Sequence, residues 1–181
     1  MRDSGEEPGR RTLTVVELRA ELVDAFDHVW QRFRKRMRGV TDDEWAWTPT
    51  DDERLNLPWR IGHLAELLTE DRNAVWLGAG GVRTQEPVRS IDAATAPADA
   101  LHVLDGAYAD WRALLVETSD DALAAPIGDV GGPFAASTRY AFVLHVLDEL
   151  VHHTAESALL RDLYAGVNDP SGQGTHNPAR S

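Results

Sequence analysis

Leu18, Leu22, Phe26, Val29, Phe33 and Met37 recur at helical spacing behind a Thr14/Glu17 capping box, and Gly39 ends the run. That pattern predicts a first amphipathic helix. A turn-rich stretch follows, with Thr41 as a cap and Pro49 as a break. The next apolar stripe lies in LPWRIGHLAELLTEDRNAVWLG, where Pro58 takes a first-turn position and Gly78 a terminal one, so a second helix is predicted over 58–77. Residues 79–96 read as a loop. Pro97 then introduces Leu101, Leu104, Tyr108, Trp111 and Leu115 on one face of a third helix.

SDDALAAPIGDVGGP, at 119–133, carries too much Gly and Pro for regular structure to be expected there. Ser137 or Thr138 then caps a fourth helix reaching about Tyr164. Segments 1–12 and 166–181 lack apolar periodicity and read as disordered tails around one domain at 13–165. No segment alternates as a strand would and no repeat is evident. The expected fold is therefore all-α, a four-helix bundle with long connections.

The fourth helix breaks the simple pattern, because LHVLDELVHHTAESALL carries His145, Glu149, His152, His153 and Glu156 within one sector of about 100°. Phe142, Val146, Leu160 and Leu163 flank that sector, which points the polar groups inward. Ionisable side chains placed there need pairing or a metal. Leu147, Val151 and Ala158 lie on the opposite side, leaving the helix apolar on two faces and predicting a homodimer.

Composition narrows the chemistry. The 181 residues contain no cysteine, so disulfides, thiolate ligands and a protein thiol nucleophile are excluded, and any metal must use nitrogen and oxygen donors. A net charge of -12 works against binding nucleic-acid phosphates, and the one basic run, QRFRKRMR, is short and amphipathic. The N-terminus has no apolar core of a secretory signal, and no apolar run is long enough for a membrane span. A cytoplasmic protein with neither nucleic-acid nor membrane partners is expected.

Helical metal ligands must stand one turn apart, which selects His145 with Glu149 or Glu149 with His153. His145 and His153 are about 12 Å apart along the axis, too far to share one ion comfortably. A third donor must come from another helix. His63 is the best candidate, since Trp59, Leu67, Ala74 and Leu77 share its stripe. The expected metal set is His63, Glu149 and His153, with His145, His152 and Glu156 orienting those ligands. The competing reading is an ion pair of Glu149 with a neighbouring histidine on a partly wet face. His28, His102 and His176 get no role, and the six Trp read as core.

LPWRIGHLAELLTEDRNAVWLG, GGPFAAST and LHVLDELVHHTAESALLRDLY together resemble the DinB/YfiT-like metalloenzymes, over roughly residues 14–165. That resemblance implies a four-helix bundle, often dimeric, with a divalent metal on a His of the second helix and a pair one turn apart on the last. It carries over to His63, Glu149 and His153, a His/Glu/His set similar to that of mycothiol-dependent maleylpyruvate isomerase. Zinc is the first expectation, with nickel, iron or manganese as alternatives. The implied activity is a thiol S-transferase or isomerase acting on a mycothiol-type thiol and a small electrophile. Trp59, Arg60 and Arg139 are candidates for holding the substrate, against the plainer reading of solvated surface arginines. Other readings are a non-catalytic binding protein with a structural metal, or a metal-dependent hydrolase using Glu156 or Glu70 as general base.

Overall fold

In the computed structural model the described residues are 15–79 and 91–168, with side chains from Leu18 onward. The Thr14/Glu17 box, the 1–12 tail, most of the 79–96 loop and the tail beyond Asn168 lie outside them. Seven α-helices are described: α1 (Val15–Arg36), α2 (Asp42–Ala46), α3 (Leu57–Thr69), α4 (Arg72–Leu77), α5 (Pro97–Glu117), α6 (Asp120–Ala124) and α7 (Arg139–Val167). A 3-10 segment, Asp129–Phe134, precedes α7. The protein is all-α, with no strand among the described residues. The long helices meet in a ring in which α3 packs on α5 and α7, and α1 packs on the same two. No helix among the described residues is long and apolar enough to cross a membrane.

The capping residues act locally as their chemistry predicts. Thr138 accepts the Ala141 N–H at 3.1 Å to start α7, and Thr41 accepts the Glu44 N–H at 3.2 Å to start α2. Asn56 caps α3, accepting the Trp59 N–H at 2.8 Å, with Pro58 in the first turn. Phe26, Ile61, Leu64, Leu104, Trp111, Val143 and Leu150 fill the centre between the four long helices. Removing these large apolar surfaces from water is the main stabilising term.

Two expectations about regular structure need correction. The helix predicted over 58–77 is two helices, α3 and α4. Thr69 Oγ1 donates to the Ala65 carbonyl at 2.7 Å, and Asn73 Nδ2 donates to the Leu67 carbonyl at 2.9 Å. Asn73 thus takes a carbonyl that the next turn would have used, Thr69 adds a second donor to a carbonyl within α3, and the chain turns without Gly or Pro. The stretch at 119–133 is not irregular throughout, because Ser119 caps α6 and Gly128 and Gly132, at φ 85° and 53°, shape the 3-10 segment. Helix α7 also continues past Tyr164 to Val167.

Three contacts position the site-bearing helices. Gly78, at φ 66°, closes α4 with its N–H directed to the Val75 carbonyl, and Arg139 Nη1 donates to the Leu77 carbonyl at 3.2 Å. Gly62 lies against the chain entering α5, where a Cβ would stand 3.0 Å from the Ile91 carbonyl oxygen. Glu44 on α2 is buried and receives Arg161 Nη2 of α7 at 3.0 Å, while Arg161 Nη1 donates to the Arg38 carbonyl at 3.0 Å.

Candidate metal centre

Helices α3 and α7 bring His63 and Glu149 together across their seam, with His153 one turn further along α7. His63 Nε2 and His153 Nε2 lie 3.6 and 3.3 Å from the same atom, Glu149 Oε2. The three donor atoms fall within 4.8 Å of one another. Bonds of about 2.0–2.1 Å in a tetrahedral sphere put neighbouring donors about 3.3 Å apart, so the two separations from Glu149 are close to those of a ligand set. Two imidazole nitrogens and a carboxylate oxygen suit a borderline divalent cation.

Aromatic packing fixes the imidazoles. Trp59 stacks on His63 with centroids 5.0 Å apart and planes 13° apart. The ring of His153 stands edge-on to His63 at 4.6 Å and 82°. His153 is buried, whereas the side chains of His63 and Glu149 retain 34% and 30% of their exposure, which leaves the cluster open toward solvent.

On its other edge, His153 Nδ1 is 2.8 Å from Glu156 Oε2 and 3.3 Å from Arg60 Nη1. The shorter contact to an anion favours Nδ1–H donating to Glu156, which turns the Nε2 lone pair toward Glu149 and His63. Arg60 is itself buried, and its Nε is 3.1 Å from Glu156 Oε2, an ion pair in which the N–H is not aligned on the oxygen. Burial pushes the His153 pKa below the ordinary imidazole value; the Glu156 hydrogen bond opposes the shift and nearby His63 adds to it. A neutral imidazole is the form that ligates metal.

A second group, His152, His153 and Glu156, also has metal-binding spacing. It would place a cation beside the Arg60 guanidinium already paired with Glu156. Charge repulsion therefore favours the first group.

The remaining sequence candidates fall in several places. His152 is exposed and 3.3 Å from Glu156 Oε1, so it touches the ligand set only through that carboxylate. Trp59 belongs to the cluster through its stacking. Arg60, read from sequence as a solvated arginine or a substrate contact, is buried behind His153. Arg139 serves the end of α4 through the Leu77 carbonyl. His145 belongs to neither cluster and lines a separate cavity with Trp76 and Phe142. Glu70 pairs with Arg72, and Glu156 is engaged by Arg60 and two histidines, so neither stands free as a general base.

The long α-helices and the open His/Glu/His cluster define a helical protein with a candidate metal centre. Residues 25–157 match the sequence profile of the DinB superfamily, and the chain belongs to that family. No curated protein and no solved structure matches it.

Proposed function

We propose that the protein is a metal-dependent transferase or isomerase that joins a low-molecular-weight thiol, of the mycothiol type, to a small electrophile. The supporting observation is the three-donor face of His63, Glu149 and His153, which no fourth His, Asp or Glu closes among the described residues. A divalent ion held there, zinc first and nickel, iron or manganese after it, would supply Lewis acidity that lowers the pKa of a coordinating thiol.

The chain's own residues prepare that chemistry. Trp59 holds the plane of His63, Glu156 keeps the proton on His153 Nδ1, and Glu149 sets one negative charge against the cation. The chain has no cysteine, so the sulfur nucleophile is external. In the transfer, the thiol proton leaves to solvent, the S–C bond forms, and the displaced electron pair departs with the leaving group. In an isomerisation the S–C bond forms and later breaks, returning the thiol. A reducing cytoplasm rich in such thiols is the fitting compartment.

A second copy of the chain completes the reading. Leu147 is not free for such a contact, since it packs against the core, but Leu144, Val151 and Leu159 of α7 are 41%, 38% and 57% exposed. An apolar stripe of this kind on a long helix fits an isologous dimer.

Incubating zinc-loaded protein with 1-chloro-2,4-dinitrobenzene, with and without a small thiol, tests the chemistry. The expected result is thiol-dependent product formation that is lost in Glu149→Ala. Turnover without thiol would replace the reading with hydrolysis, and no turnover across a panel of thiols and electrophiles would replace it with a binding role.

A further inference from the structure

The cavity where α4, the 3-10 segment and the first turns of α7 meet has no part in the metal cluster. It encloses about 210 Å³, smaller than a drug-sized site and suited to one small ring system. Its wall is aromatic. The Trp76 ring meets Phe142 edge-on at 5.0 Å and Phe134 at 5.9 Å. Ile127, buried beneath the 3-10 segment, supplies further carbon surface.

Phe134 is 56% exposed and Val130 59%, so the apolar rim faces solvent. The rim is nonetheless anchored, because Trp76 Nε1 donates to the Val130 carbonyl at 3.3 Å and Gly131 sits close over Ile127. Polar groups at the cavity are few: His145, Ser137 and Arg72. Arg72 lies over the Trp76 ring at 5.0 Å and pairs with Glu70. Its charge is already offset, and no carboxylate lines the cavity. Such a wall favours a neutral ring over an anion.

We propose that this cavity binds a neutral aromatic molecule carrying one polar substituent, with the substituent directed to His145 or Ser137. Position links it to the candidate metal centre: His145 precedes Glu149 by four residues of α7, about 6 Å of helix axis. Assigning the ring to the electrophile of the thiol reaction rests on the function proposed above; the binding site itself does not.

Calorimetric titration with 2-naphthol tests the site on the full chain. Saturable binding is expected. Phe134→Ala removes an exposed wall, and Ala141→Leu fills the cavity from an exposed helical position. Each should weaken binding by about ten-fold or more while helical circular dichroism and metal content hold. The anion 2-naphthoate should bind more weakly than 2-naphthol, and His63→Ala should lose metal yet keep 2-naphthol binding. Absence of saturable heat, equal affinity in both cavity variants, or preference for 2-naphthoate would overturn the proposal. Intact 2-naphthol binding without thiol chemistry would remove only the functional reading, and thiol turnover without 2-naphthol binding would remove only this site.

Discussion

Arg60 and Glu156 form an ion pair at 3.1 Å directly behind His153, so a buried guanidinium from α3 holds the carboxylate that orients an imidazole of α7. Outer partners of this kind commonly account for 10- to 100-fold in metal affinity. Glu156→Gln keeps the shape and weakens the hold on the Nδ1 proton. Its zinc affinity should fall by about that factor. Competition with a chromophoric chelator measures it, and unchanged affinity would show that the pair is structural only.

Elemental analysis checks the ligand set itself. Protein purified without a metal-affinity column should carry close to one divalent ion per chain, lost in both His63→Ala and Glu149→Ala. The two residues lie on different helices, 3.6 Å apart at their polar ends, so parallel loss with intact helicity identifies one shared centre.

Gly78 should not tolerate a side chain. Its φ of 66° is the left-handed region, and a Cβ there would meet the Arg139 guanidinium. Gly78→Ala is expected to lower stability by about 1–3 kcal/mol in urea unfolding, since strain and a displaced arginine act together.

Asp27 predicts an acid-dependent loss. Arg112 holds its carboxyl below the ordinary value of 3.8 through Nε and Nη2 contacts at 2.8 and 2.9 Å; burial opposes the shift, and the Tyr108 hydroxyl adds to the lowering at 2.7 Å. A depressed carboxyl stabilises the fold fully above 3.8 and loses that contribution as pH falls through the lowered folded value. Thermal melts should therefore show a gap between wild type and Asp27→Asn that is full at pH 7 and narrows on acidification. A gap that does not change with pH would rule out the linkage.

Light scattering should give twice the 20.0 kDa chain mass, falling to the monomer in a Val151→Glu, Leu159→Glu double variant. A monomeric wild type would remove the proposed α7 contact.

The grouping of His63, Glu149 and His153 was legible because its spacing is nearly one-dimensional. Glu149 and His153 are one turn apart on one helix, and His63 stands between Trp59 and Leu67 on the stripe of α3 that meets α7. Arg60 was a candidate only as a substrate contact or a solvated arginine, because a charged residue at a helix start reads as facing outward, and its place behind His153 was not foreseen. The signal was present in the spacing, since Arg60 precedes His63 by three residues and Glu156 follows His153 by three, giving each histidine a charged neighbour on its own face. The α3/α4 break was hidden for a different reason. Asn73 captures a carbonyl at the end of α3 and Thr69 bonds back within it, and neither disturbs the hydrophobic period. His145, read as orienting the ligands, instead lines a cavity with Trp76 of α4.

The close approach of Gly62 to Ile91 has a consequence for how this chain can change. Ile91 ends the connection that begins beyond Ala79, and it meets α3 one residue before His63. At the other end of the connection, Arg139 braces the close of α4. Both ends of the connection are moored to the helices that carry the donors. A substitution that loosens either mooring should therefore be felt at the donors as well as at the helix end it touches.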